Sequence, residues 1–139
     1  MSFDKMIFHP LFVHFPIALC FFELGLIMLS RSKEPTVLSQ HALSFARLTL
    51  RVTAAILPVV LLTGWRDAGG TFQDLFEGGV KPHFYAACGL TGVVVTRLLL
   101  WKVFPPEHSR CFKVQLLTGL VMMTAVVVTA YWGGKLVYG

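Results

Sequence analysis

Three of the five histidines, His9, His14 and His83, lie at the same end of the apolar segments, where a neutral imidazole can act as a ligand. His14 lies about one helical turn inside the first segment, and His83 opens the third. Ionisable residues at membrane depth are costly and usually functional. Because facing helices can each supply one imidazole to a haem iron, we predict that His14 and His83 are axial haem ligands. The alternative is that each histidine only forms hydrogen bonds at the membrane interface.

Small, cationic and hydroxyl-bearing residues gather at the same end of the apolar segments. Gly133 and Gly134 offer space for a flat macrocycle because they carry no side chain. Arg66 is placed to meet the propionates of such a group, and Tyr138 is placed to form a supporting hydrogen bond. We therefore predict that these four residues, together with the histidines, bind the cofactor.

A zinc or copper site is an alternative use of the same end of the chain. Imidazole and carboxylate ligands suit both metals, and the candidate ligands are His9, His14, His83 and Asp67. Because no HxxxH or HExxH spacing occurs among them, haem ligation is the preferred interpretation.

Glu23 and Arg51 lie deep within successive apolar segments. Each is about 13 residues from the end at which His9, His14 and His83 lie, the histidine end. This corresponds to roughly 19 Å of helix. Equal depth on antiparallel neighbours predicts an intramembrane charge pair between them, although Arg97 reaches a similar depth in the third segment. The pair has either a structural role or a role in a proton or quinone site.

The composition requires surroundings that accept a large apolar surface. Of 139 residues, 55% are hydrophobic and 14% are charged, against about 25% charged in a typical soluble domain. A soluble fold this small could not bury so much apolar surface, because small domains have much surface and little interior. The sequence therefore excludes a soluble enzyme, a disordered chain and a disulfide scaffold, and it predicts an integral membrane protein.

Four apolar segments are long enough to cross a hydrocarbon core of about 30 Å as helices. They cover residues 11–29, 42–65, 83–104 and 114–132, and helix-breaking or charged residues separate them. The short first and third connections favour antiparallel neighbours. We predict one all-α domain over residues 1–139, an up-down transmembrane four-helix bundle without internal repeats.

Basic residues indicate the orientation of this bundle. The positive-inside rule places the end richer in Lys and Arg in the cytoplasm. The richer end carries Arg31, Lys33, Lys102, Arg110 and Lys113, and the same half of the bilayer also contains Arg47, Arg51 and Arg97. The histidine end carries Lys5, Arg66, Lys81 and Lys135, which acidic residues offset. Both termini are therefore predicted to lie on the non-cytoplasmic side.

Several of these residues form a familiar pattern. The opening HPLFVHFPIALCFFELG resembles that of domain of unknown function 2231, a family of small bacterial membrane proteins. Its two histidines, proline and acidic residue correspond to His9, His14, Pro16 and Glu23. GW-x-D at the end of the second segment, with Gly64, Trp65 and Asp67, also matches, as does a histidine opening the third segment, His83. The ending GGKLVYG is similar, although one residue of the family spacer before the last glycine is missing. The resemblance covers the whole chain.

The resemblance implies a four-helix protein of the bacterial inner membrane. Members are often found with Rieske or cytochrome partners, which implies electron transfer and b-type haem, with His14 and His83 as ligands and His9 as a substitute. The predicted function is thus a small electron-transfer subunit of a respiratory chain, which connects the quinone pool to a periplasmic cytochrome or Rieske-type protein.

Two alternative functions are kept. The first is a cofactor-free structural or assembly subunit, either in a larger membrane complex or as a homo-oligomer. The second is a metal carrier or transporter. The net charge of +5 is read as topology-setting, because the basic residues form no nucleic-acid-binding pattern.

Overall fold

The computed structural model describes residues 8–33, 36–104 and 109–138, so Lys5 lies outside the described residues. The described residues form four α-helices and one short 3-10 turn. In chain order they are α1 Phe8–Leu29, α2 Val37–Ala68, the 3-10 turn Asp74–Phe76, α3 Val80–Val103 and α4 Ser109–Tyr138.

Each of the four helices is long and apolar enough to cross a membrane. The chain is therefore an all-α, multi-pass membrane protein, as the composition predicts. The helices correspond one to one with the four predicted segments, but α2 and α4 extend several residues beyond both predicted ends. They extend because polar residues at the membrane–water interface can continue the helical hydrogen bonds until a helix-breaking residue occurs.

Local signals fix both ends of α2. The Thr36 side chain accepts a hydrogen bond from the Ser39 amide at 3.1 Å, and the Thr36 amide donates to Ser39 Oγ at 2.9 Å. This reciprocal pair satisfies two amides that the first turn leaves without partners. At the other end, Gly69 has φ 136°, a conformation that favours glycine, and its amide returns to the Arg66 carbonyl oxygen.

The helices pack mainly as neighbours: α1 with α2, α2 with α3, α3 with α4, and α4 with α1. The interior contains fully buried Cys20, Ile27, Leu50, Val94 and Met122. The outer faces carry large apolar side chains that are more than half exposed, such as Phe15, Phe21 and Phe22. A lipid environment covers such surfaces without cost, whereas water does not.

Candidate site at the outer ends of the helices

His9 and His83 lie beside each other at one end of the molecule. Their ring centroids are 6.0 Å apart and their planes meet at 81°. His9 is in the first turn of α1, and His83 is in the first turn of α3. The structure thus brings together two imidazoles from different helices.

The end of α2 holds His9 in position. His9 Nδ1 lies 3.1 Å from the Val60 carbonyl oxygen and 3.3 Å from Thr63 Oγ1. The imidazole covers Gly64, where an added Cβ would lie 2.9 Å from His9 Cε1. Asp67 accepts a hydrogen bond from the main-chain amide of His9 at 3.1 Å. This bond pairs an otherwise free amide of α1 and puts negative charge at the positive end of its dipole.

The end of α4 holds His83 by an equivalent arrangement. His83 Nδ1 lies 3.1 Å from the Thr129 carbonyl oxygen, and a Cβ added at Gly133 would lie 3.1 Å from His83 Cε1. In both cases the glycine follows the carbonyl residue by four positions, as Gly64 follows Val60. Because the glycine has no side chain, the imidazole can reach the carbonyl oxygen of the residue one helical turn before it.

These hydrogen bonds fix the tautomer of both rings. A carbonyl oxygen only accepts, so each Nδ1 must carry the hydrogen. In a neutral imidazole the lone pair then lies on Nε2. Histidines that bind metals usually donate their other ring nitrogen to a carbonyl or carboxylate in this way. His9 and His83 therefore have the protonation pattern of ligands.

The surroundings of His9 favour its neutral form. His9 precedes the apolar segment Phe12–Leu29 of α1. Burial lowers the pKa of its imidazole below the ordinary value of 6.5, and His83 lowers it further. The hydrogen bond to Val60 and the charge of Asp67 act in the opposite direction but do not restore the pKa. The neutral form is the one that can bind a metal.

His14 points away from this pair. Its ring is exposed, and its Nδ1 bonds to the Pro10 carbonyl oxygen in the preceding turn. Five residues separate His9 from His14, which is about 140° around a helix, so the two cannot share a face. The structure thus places His9, rather than His14, beside His83.

The other predicted cofactor-binding residues have different surroundings. Gly133 lies under the imidazole of His83, so that ring takes the space predicted for a macrocycle. Gly134 faces open space, with nothing within 4 Å of an added Cβ. Arg66 is exposed, and Tyr138 is 92% exposed. In the described part of the chain, no hydrogen bond or ring contact joins Arg66 or Tyr138 to the two imidazoles.

A cavity of about 320 Å³ opens between the start of α3 and the end of α4. It is lined by Gly79, Trp132, Lys135 and Leu136. The Lys135 ammonium lies 5.1 Å and 5.3 Å from the ring centroids of Tyr131 and Trp132. This cation–π contact keeps a positive charge at the histidine end of the molecule.

A second polar pair lies deeper in the molecule. Glu23 Oε1 accepts a hydrogen bond from Arg97 Nη2 at 2.5 Å, and both side chains are fully buried. Arg97 Nη1 also donates to the Gln115 carbonyl oxygen at 2.8 Å and to Thr118 Oγ1 at 2.6 Å. α1, α3 and α4 therefore meet at this ion pair.

The Glu23–Arg51 pair predicted from equal depth is corrected to Glu23–Arg97. Arg51 is exposed, and it lies two residues from buried Thr53, about 200° around α2. Depth along a helix does not fix the direction in which a side chain points. Arg97 has similar depth and also points inward.

Glu23, Arg97 and Gln115 form an inner polar layer, and three of its polar atoms have no hydrogen-bond partner among the described residues. They are Glu23 Oε2, Arg97 Nε and Gln115 Oε1. A buried unpaired polar group costs about 1–3 kcal/mol. The inner layer is therefore an expensive feature of the fold, which is typical of a functional or specificity-determining element rather than of simple packing.

Both polar layers follow one sequence spacing. Fourteen residues separate His9 from Glu23, and fourteen separate His83 from Arg97. This spacing is nearly four helical turns, about 21 Å, and keeps both residues on one face. The sequence signal that could have revealed this relation is a seven-residue spacing, at positions 9, 16 and 23 in α1 and 83, 90 and 97 in α3.

Within residues 8–33, 36–104 and 109–138, no group of three or more His, Cys, Asp or Glu side chains is arranged to hold a metal ion. The four residues considered for zinc or copper are therefore not assembled into such a group. No family model, curated protein or solved structure matches the chain. The resemblance to domain of unknown function 2231 stays a prediction.

Proposed function

We propose that the chain is a small membrane electron-transfer subunit that binds b-type haem through His9 and His83. The observation that carries this proposal is the pairing of two imidazoles with ring centroids 6.0 Å apart. Two neutral imidazoles carried by different helices would together hold the haem iron between α1 and α3.

The donor set also suits haem iron. Both rings keep Nε2 free of the hydrogen, because Nδ1 donates to a carbonyl oxygen in each case. Neutral imidazoles are common ligands of haem iron, so His9 and His83 would hold it. When bound, haem b supplies reversible one-electron oxidation and reduction at its iron.

The residues around the histidines orient and tune them. Val60 and Thr129 hold the two Nδ1–H groups, which fixes both rings and raises the basicity of Nε2. Asp67 anchors the main chain of His9. Lys135 keeps a cation at the same end of the molecule, where it would favour an anionic group such as a propionate.

We further propose that the four helices form an antiparallel up-down bundle in a bacterial inner membrane, with both termini on the periplasmic side. The starts of α1 and α3 meet the ends of α2 and α4 around the histidines, which supports alternating directions. The excess of Lys and Arg at the opposite end supports this orientation. The site would then face a periplasmic cytochrome or Rieske-type partner and exchange electrons with the quinone pool.

An absorption spectrum of the purified protein tests the haem assignment. We expect a Soret band, an α band and a b-type pyridine haemochrome. His9→Ala and His83→Ala should each lose these bands, because each removes one of the two imidazoles that would hold the iron. His14→Ala is the matched control, since it removes an exposed imidazole five residues from His9, and it should retain the spectrum.

Two results would overturn the haem proposal. One is a colourless protein after expression with adequate haem supply. The other is a spectrum that survives both His9→Ala and His83→Ala. A spectrum lost in His14→Ala but kept in His9→Ala would return the ligand role to His14.

One observation favours a second candidate, a cofactor-free structural or assembly subunit. The two imidazoles already link helices, α1 to α2 and α3 to α4, by hydrogen bonds to main-chain oxygens. Under this candidate the pure protein is colourless and His83→Ala only destabilises it. Stoichiometric purification with a respiratory complex would then identify its role.

A further inference from the structure

A second cavity, of about 430 Å³, lies between α2 and α3 toward the end opposite the histidines. Its cationic lining residues are Arg47, Arg51 and Lys102. Its apolar wall includes Leu98, Leu99 and Trp101. Three positive charges thus converge on one cavity that also has an apolar wall.

These cations have no carboxylate partner in the described part of the chain. The only ion pair there joins Glu23 to Arg97, and no carboxylate lines the cavity. Arg47 and Arg51 are one turn apart on α2 and add their charge on one face. Uncompensated arginines within a membrane-spanning helix are costly. An anion that enters the cavity would remove this cost.

The position of the cavity identifies the source of that anion. Lys102 is 19 residues beyond His83 on α3, which is about 28 Å of helix and close to the thickness of the hydrocarbon core. Lys102 is therefore near the headgroup level of the opposite leaflet. Arg47 and Arg51 lie deeper, and side chains of their length can extend to that level.

We propose that this cavity binds the phosphate headgroup of an anionic phospholipid, with part of an acyl chain against the apolar wall. The volume lies within the usual range for ligand sites, about 300–1,000 Å³. A neutral quinone would use the apolar wall but would leave three cations unpaired. Free phosphate would use the cations but would leave Leu98 and Leu99 without a partner.

Native mass spectrometry of the delipidated protein in neutral detergent tests this proposal. The probes are phosphatidylglycerol, phosphatidylcholine of the same chain length, and inorganic phosphate. We expect phosphatidylglycerol to bind with one-to-one stoichiometry and phosphatidylcholine to bind much more weakly. Millimolar inorganic phosphate should not displace the bound lipid, because it lacks the acyl contact.

Charge-removing variants locate the site. Arg47→Gln combined with Arg51→Gln should weaken phosphatidylglycerol binding roughly 30-fold, and Lys102→Gln alone about fivefold, from the usual contribution per basic residue at an anionic lipid surface. Because none of the three takes part in an ion pair within the described residues, these variants should keep the helical circular dichroism spectrum.

The matched control is Lys33→Gln combined with Lys113→Gln. It removes the same charge from exposed residues at the same end of the molecule, outside the cavity. It should leave phosphatidylglycerol binding within about twofold of the unmodified protein. Equal weakening by both double variants, equal binding of phosphatidylcholine, or displacement by inorganic phosphate would each refute the proposal. None of these measurements depends on haem.

Discussion

Replacing Glu23 with Gln should strongly destabilise the protein, because it leaves the guanidinium of Arg97 buried without a counter-ion. The new amide has almost the same shape as the carboxylate, so the change mainly removes charge. Arg97 is fully buried, and a guanidinium does not lose its proton in proteins. The structure therefore offers no route by which Arg97 can become neutral.

The expected magnitude follows from the contacts of the pair. Removing one partner of a buried ion pair costs about 3–5 kcal/mol. Glu23→Gln should fall near the lower limit, about 3 kcal/mol, because Arg97 keeps its bonds to Gln115 and Thr118. Arg97→Gln also removes those bonds, but it leaves a carboxyl that can take up a proton. We expect a similar loss for this variant.

Arg51→Gln is the matched control for Arg97→Gln. It makes the same chemical change at similar depth, but on an exposed residue that has no ion pair within the described part of the chain. Because Arg51→Gln removes no ion pair and no buried contact, it should not lower the free energy of unfolding by more than about 0.5 kcal/mol.

Reversible unfolding in mixed micelles, with increasing dodecyl sulfate, measures these changes. The double variant Glu23→Gln/Arg97→Gln should lose less stability than the sum of the two single variants, with a coupling of about 1–3 kcal/mol. The reasoning fails if Glu23 couples to Arg51 instead. It also fails if Arg97→Gln is as mild as Arg51→Gln.

Three other predictions concern the histidine end. Gly134→Ala should raise the free energy of unfolding by up to about 1 kcal/mol through helix propensity, whereas Gly133→Ala should lower it by about 1 kcal/mol because its Cβ meets His83. Thermal unfolding of the two variants in detergent compares them, and equal effects would contradict the packing of His83 on Gly133. Because burial lowers the pKa of His9 below 6.5 in the folded protein, the unfolded chain binds a proton first, so the contribution of His9 to stability should be constant above pH 6.5 and fall below it. His9→Asn should reduce this fall when unfolding is measured across pH, and an unchanged pH profile would argue against it. Asp67→Asn should destabilise the start of α1 by about 0.5–1 kcal/mol, measured as faster amide hydrogen exchange there, and unchanged exchange would exclude the cap.

The helices were predictable because their signal is long and local. About 20 apolar residues in succession indicate a membrane-spanning helix whatever the neighbours do. The ends were less predictable: α2 begins at Val37, where the Thr36 and Ser39 hydrogen bonds support a start in polar sequence. Hydropathy reports where lipid begins, whereas backbone hydrogen bonding decides where a helix ends.

The site residues were only partly predictable because contacts between helices depend on rotation as well as depth. The sequence predicted that imidazoles from the first and third segments lie at one end of the molecule. It did not determine whether His9 or His14 lies beside His83. It placed Glu23 at the depth of Arg51, although buried Leu90, Val94 and Trp101 mark the inward face of α3 that also contains Arg97. Combining depth with this periodicity would have found the observed ion pair.

The two halves of the histidine site also repeat geometry without repeating sequence. His83 follows His9 by 74 residues, and Arg97 follows Glu23 by the same number, while Gly133 follows Gly64 by 69. The arrangement needs only a histidine, a glycine and the carbonyl one turn before that glycine. So few shared positions do not make two segments similar over their length, so no repeat is evident in the sequence.

The unequal lengths of the helices have a consequence for the surrounding bilayer. With 32 and 30 residues, α2 and α4 measure about 48 Å and 45 Å, whereas the 22 residues of α1 measure about 33 Å. A hydrocarbon layer of about 30 Å matches α1 but not the longer pair, which must tilt or project into the headgroups. A thinner or thicker bilayer would therefore change the inclination of α2 and α4 more than that of α1. Lipid chain length should consequently alter the contacts of His9 with α2 and of His83 with α4.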